Sequence, residues 1–377
     1  MDRPPGDRRA RRGRDRELKP SLQGRDPLRP AAELVGPAER GPRWVVSLVG
    51  LLAAMALVEV AARIAGPTVC LDVPGMFLDA SPTVGWTFTP GLTVTLRSCG
   101  AASTIAGRVP LTINRRGLAD LERSDAKGPG EVRVILLGNQ LADSLAAERD
   151  DRLANRLSNM VDRRRGARLT VINAAIEGYA TREELRWLRT EGVRYSPDVV
   201  VLIVDADRDL RANVSPTAAR AVPPAFPAPS GLARWSGFAR WLSGRPVALP
   251  ARPLGVAEPP ALDGAEAWRA ALDTTVALVA ETAAVARDAG SGFAVVVGKG
   301  CGGGGPPATE VCAALGDSLP CRALDASFGG ALEPGRQCVD GGRRWSRDSL
   351  FFVSHVIWDL LDSAKLWPAS LVKGWRL

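Results

Sequence analysis

Histidine is almost missing: His355 is the only one in 377 residues. That excludes metal sites built on several imidazoles and leaves one ordinary proton exchanger near neutral pH. Cysteine is missing before residue 70, and none of the six forms a close Cys-x-x-Cys pair. Zinc sites of the structural kind are therefore not expected. The glycine run at 302–305 is flanked by Cys301 and by Pro306-Pro307, with no Gly-Lys-Ser/Thr behind it. It reads as a flexible loop, not as a phosphate cradle. No internal repeat is visible, and neither a metal nor a cofactor is expected.

What is present is unevenly placed. The net charge is +8, and much of the excess crowds into Arg3, Arg8, Arg9, Arg11, Arg12, Arg14, Arg16 and Lys19. Residues 1–43 are basic and Pro-rich, and they read as a disordered tail. A basic tail can bind nucleic acid, but an apolar segment follows at once: WVVSLVGLLAAMALVEVAA, residues 44–62. About 20 apolar residues span a bilayer as a helix, and basic residues beside such a segment mark its cytoplasmic side. Residues 44–64 are read as a single membrane-spanning signal anchor, with no nucleic-acid partner. A buried core helix or a cleaved signal peptide would explain the segment too. The long basic lead and the missing small-x-small site favour the anchor. Glu59 and Arg63 lie one helical turn apart and can pair at the outer interface. All six cysteines follow the segment, which suits an oxidising side of the membrane. Their pairing stays open, although Cys70 with Cys99 would close a local loop. Cys301, Cys312, Cys321 and Cys338 share a later region. The expected location is a bacterial-type cell membrane, N-terminus cytoplasmic and main domain extracytoplasmic or periplasmic.

Residues 65–130 read as a lead-in with short strands (TVGWTFTPGLTVTL). From residue 131 the pattern turns regular. β-Branched runs predict strands over 132–137, 169–173, 198–204, 292–297 and 321–324. Helical periodicity predicts helices over 149–163, 182–194, 265–289 and 353–364. Such alternation predicts a three-layer α/β/α, doubly wound parallel sheet of flavodoxin-like order. The Pro-rich stretch 213–262 reads as a loop-rich insertion.

The first strand ends in VRVILLGNQLADS (132–144), the second in INAAIEGYAT (172–181), the third in VVVLIVDADRDL (199–210). These blocks, and INRRGLAD (113–120), resemble the SGNH (GDSL-type) hydrolases, above all their membrane-anchored branch. The resemblance spans about residues 131–364. It implies a Ser nucleophile, a His base with its Asp, and an oxyanion hole made by a Gly N–H and an Asn amide. Position by position, the nucleophile falls on Gln140, the oxyanion Asn on Arg208, and the Asp-x-His pair on Asp348 and Leu350. Phe352 falls where those members carry a further Asn. An alternative register, Asp340-Gly-Gly-Arg343, also lacks His. Gly178 keeps the oxyanion glycine, and Asp209 is also retained. Arg208 is expected to pair with Asp205 or Asp207. Ser144 and His355 are the alternative catalytic candidates, although His355 near a helix start, one turn from Asp359, reads as structural.

The resemblance therefore implies a pseudo-hydrolase with no intact catalytic set, holding a glycan, an acyl group or an envelope protein partner in the old crevice. An active esterase or O-acyltransferase using Ser144 with His355, or a structural partner in a membrane assembly, are the alternatives. A closed crevice would favour the last.

Overall fold

The computed structural model describes residues 43–65, 68–70, 77–97, 108–162, 168–224, 228–243, 249, 252–301, 304–324, 332, 336–339, 342–368 and 371. The basic tail and Cys99 lie outside them, so neither the tail's disorder nor the Cys70–Cys99 pairing is addressed. Two compact units, Met1–Ala54 and Met55–Leu377, make up the chain. Helix α1 (Arg43–Ala65) begins in the first and ends in the second. It is apolar and long enough over Arg43–Ile64 to cross a membrane, and none of that window is buried in protein.

Strands β1 (Thr68–Cys70), β4 (Thr93–Arg97) and β5 (Arg108–Thr112) form one small sheet; β2 (Leu78–Ser81) and β3 (Gly85–Phe88) form a hairpin. Alternation in β4 and β5 sends Val94, Leu96, Val109 and Leu111 inward. The INRRGLAD motif then makes a tight loop. Asn114 Oδ1 accepts the Arg116 and Leu118 N–H groups, and Gly117 takes φ +75°. Asp120 Oδ2 accepts the Asn173 N–H at 3.4 Å, tying this loop to the main sheet.

That sheet comprises β6 (Glu131–Leu137), β7 (Arg168–Asn173), β8 (Val199–Asp205), β11 (Gly292–Gly298) and β12 (Cys321–Ala323). Among its described residues the insertion's strands are one two-residue pair, β9 (Ala221–Val222) with β10 (Gly255–Val256). The order is β12-β11-β8-β6-β7, and every pairing is parallel. Counted within the sheet this is 2-1-3-4-5, the doubly wound order expected. The winding reverses between β6 and β8, so a crevice is expected past their C-terminal ends.

Continuous apolar runs bury both faces. Ile135, Leu137, Val200, Leu202 and Val295 pack with Trp187 of α3 (Thr181–Thr190) and Val279 of α7 (Gly264–Asp288). Val134, Leu136, Val201 and Val296 pack with Leu157 of α2 (Leu153–Asp162) and Ile357 of α9 (Arg347–Ser363). Between these lie α4 (Arg208–Asn213), α5 (Thr217–Arg220), α6 (Gly237–Ser243) and α8 (Ala308–Leu315). A last two-residue pair, β13 (Cys338–Val339) with β14 (Arg344–Trp345), precedes α9.

After Pro306 and Pro307 comes a helix that the periodicity reading does not include, α8, with Pro307 at its N-cap, where a missing N–H costs nothing. One sequence expectation needs correction. The last helix starts at Arg347, not at 353. Ser346 caps it by accepting the Ser349 N–H at 3.1 Å, and Leu350, Val353, Ile357 and Leu361 form one buried stripe. Asp348, Leu350 and Phe352 therefore stand on the helix instead of on a loop ahead of it. Disulfide Cys301–Cys338 ties β13 to the loop just past β11, and Cys312–Cys321 ties α8 to the start of β12.

Candidate functional site

The crevice is built where β6 breaks at Gly138. A Cβ there would stand 2.8 Å from that of Ala142, so the turn needs glycine. Asn139 folds the turn by accepting the Leu141 N–H at 2.8 Å, and its Nδ2 donates to Asp209 Oδ1 at 2.6 Å. Asp209 also accepts the Asp205 N–H at 2.8 Å. The ends of β6 and β8 are thus laced across the reversal point. On the other side Asn173 accepts the Ala175 N–H and donates to the Asp143 carbonyl. The Ile176 N–H reaches the Gly138 carbonyl at 3.1 Å.

Gln140 and Gly178 meet at the centre. Gln140 Oε1 accepts the Gly178 N–H at 3.2 Å, and Gln140 is 3% exposed. A side-chain carbonyl therefore rests on the donor that the resemblance assigns to an oxyanion. Gly178 has φ +79°, and a Cβ on it would come within 2.6 Å of Val256 Cγ1. Val256 belongs to β10, so the insertion's own strand lies over the glycine. Arg220, at the end of α5, donates to the Gly178 carbonyl at 2.7 Å and pairs with buried Glu183. Trp86 adds its Nε1–H to the Glu177 carbonyl at 2.9 Å. The Tyr179 hydroxyl donates back to the Trp86 carbonyl at 2.6 Å.

Below this lies a buried charge cluster. Arg344, from β14, reaches Asp143 at 3.3 Å and Glu177 at 3.5 Å; all three side chains are nearly inaccessible. Burial pushes the Asp143 carboxyl up to about 6. The Arg344 cation and the Leu145 N–H oppose that push, and Glu177 adds to it. Asp209 and Glu184 are pushed well above the usual range, first by burial and then by neighbouring carboxylates. Among the described residues neither Glu184 oxygen has a hydrogen-bond partner.

The remaining expected site residues scatter. Arg208 does not pair through its side chain with Asp205 or Asp207; it reaches Glu258 of the insertion. Asp207 takes Arg211 instead, since both stand one turn apart on and before α4. Only the Arg208 backbone N–H meets Asp205, at 3.2 Å. Ser144 is 2% exposed with φ +59°. Its Oγ donates to the Ala142 carbonyl at 3.0 Å and accepts the Leu153 N–H at 3.3 Å. His355 lies inside α9 on an exposed face, its Nδ1 2.9 Å from the Phe351 carbonyl and its ring against Phe351. It pairs neither with Asp359 nor with Ser144. Leu350 is fully buried among α9 and sheet residues, and Asp348 pairs with Arg336 near the surface.

Sequence reasoning missed Arg344, Arg220, Glu177 and Val256. Arg344 directly follows the alternative register Asp340-Gly-Gly-Arg343 but carried no motif of its own. A groove of about 550 Å³ opens beside this region, lined by Ser81, Gly85, Arg182, Arg186 and Thr217 among others. Its lining does not include Gln140, Gly178 or Arg208.

Comparison with protein-family models finds no match, and no curated protein matches. Solved structures do. The chain is similar to a lipase/acylhydrolase from Enterococcus faecalis at 13% identity, covering 62% of this chain and 96% of that one, TM-score 0.35. A GDSL-like lipase from Bacteroides thetaiotaomicron gives 12% identity, 64% and 93% coverage, TM-score 0.35. A lipase from goat rumen metagenome gives 10%, 61% and 97%, TM-score 0.39.

Proposed function

We propose that the chain is a membrane-anchored, extracytoplasmic SGNH hydrolase-like protein that does not hydrolyse esters and serves as a binding partner in an envelope assembly. One observation carries this reading: Gln140 places its amide carbonyl on the Gly178 N–H. An amide cannot act as an acylable nucleophile, and its carbonyl occupies the donor an oxyanion would need. Further support comes from Val256, which packs on Gly178, and from Leu350, which puts core hydrocarbon at the base position. A crevice filled from within favours a protein partner on the outer surface over a glycan or acyl chain inside it. The two disulfides and the basic lead before α1 support the extracytoplasmic placement.

The active reading needs Ser144 Oγ and an imidazole within about 3 Å of one another. Both Ser144 bonds go to backbone groups, and His355 bonds elsewhere. The test uses the full chain in detergent micelles with short-chain aryl esters, beside Ser144→Ala. Equal, background-level rates are expected. Turnover that the substitution abolishes would overturn the proposal.

A further inference from the structure

The insertion carries an apolar surface that neither the crevice nor the core accounts for. Leu232, Trp235, Trp241 and Leu242 are each about two-thirds exposed or more, and Phe238 stacks on Trp241 at 5.8 Å between ring centres. Soluble surfaces seldom gather such side chains in so short a stretch as 232–242. These residues are also fastened to a particular place. Glu59 accepts from Ser236 Oγ at 2.8 Å, from the Gly237 N–H at 2.9 Å and from the Phe238 N–H at 3.2 Å. Arg63 donates to Glu59 at 2.7 Å and to the Trp235 carbonyl at 2.8 Å. Both anchoring residues lie in the last turns of α1, within the membrane-competent window Arg43–Ile64.

We infer that residues 232–242 form a foot that lies in the outer headgroup region of the bilayer that α1 crosses. The occupant of this apolar surface is lipid. The inference rests on reading α1 as a membrane span. Glu59 stands five residues before Ile64, which at 1.5 Å per residue is about 7–8 Å inside the end of the window. Amphipathic segments settle about 5–10 Å into the headgroup and acyl boundary, so the tether sets α6 at the depth such segments adopt. Tryptophan favours that layer, with its ring in hydrocarbon and its N–H wet. Arg234, its guanidinium 5.4 Å from the Trp235 ring centre, adds a cation suited to lipid phosphate. The tether has a second consequence. A carboxylate inside an apolar span is costly unless paired, and Arg63 with two backbone N–H groups and a hydroxyl pairs Glu59 fully.

The test uses the full chain in phosphatidylcholine vesicles whose acyl chains carry bromine near the headgroup. Trp44→Phe is introduced first, so that the helix's other end contributes nothing. Emission of this reference should be quenched relative to ordinary vesicles, and most of that quenching should vanish when Trp235→Phe and Trp241→Phe are added. A reference no dimmer in brominated than in ordinary lipid overturns the foot, whatever the added variants do. So does quenching that survives both replacements, which would mean that the patch meets water or a protein. Alkaline carbonate extraction separates the premise: a chain released from the vesicles refutes the span itself, and a chain retained but unquenched refutes only the foot.

Discussion

Asp143→Asn tests whether the buried cluster beneath Gln140 is as the geometry describes it. The Asp143 carboxyl is pushed from 3.8 up to about 6, by burial first, against the pull of Arg344 and the Leu145 N–H. An acid raised in the folded state holds a proton there that the unfolded chain has already released. Between about pH 4 and pH 6 the native state therefore binds more protons, and stability falls as pH rises. The gap is about two units, and at about 1.4 kcal/mol per unit it amounts to about 3 kcal/mol. Asparagine cannot ionise, keeps an acceptor for the Leu145 N–H, and leaves Arg344 beside Glu177. The variant should thus gain on the parent by about 3 kcal/mol as pH climbs through that window, and stay level above it. Urea unfolding of the chain in micelles, followed by tryptophan emission at a series of pH values, reads the difference. Asp205, Asp209 and Glu184 are raised in the same direction, but they are common to both chains and cancel. A parent-minus-variant difference that does not change with pH would refute the reasoning.

Other outcomes follow from the same packing. Gly178→Ala adds a Cβ at φ +79° and 2.6 Å from Val256, and should lose about 2–4 kcal/mol in urea unfolding from left-handed strain and overpacking together. Leu350→Ala should cost about 2–5 kcal/mol, as expected for a fully buried leucine, and not the near-zero cost of an exposed catalytic loop position. Arg344→Met removes the cation facing two buried carboxylates and should cost about 3–5 kcal/mol near neutral pH, an effect that acidification relieves. A cost that acid leaves unchanged would mean that the loss is one of packing alone.

The sheet was legible because its strands are unbroken β-branched runs, and a run such as Val199–Asp205 fits little else at that length. Part of the site's framework was legible too: Gly178 keeps a left-handed turn that few residues tolerate, and Asp209 keeps its place beside the end of β8. The partners of the charged groups were not. Arg208 has three carboxylates within reach, and the choice of Glu258 depends on where a proline-rich insertion returns, which no local pattern encodes. Arg344 and Val256 escaped notice for the same reason: a two-residue strand leaves no periodicity to read. The first turns of α9 were not legible from periodicity alone, since its start is set by the Ser346 cap and its buried stripe begins already at Leu350.

In the proposed reading Gln140 fills the Gly178 donor, and among the described residues no activated serine stands beside it. Intact-mass analysis after treating the full chain in micelles with a fluorophosphonate tests this most directly, because such reagents phosphonylate activated serines. An unmodified mass near neutral pH is expected for the parent and for Ser144→Ala alike. A single adduct on the parent that disappears with Ser144→Ala would contradict it.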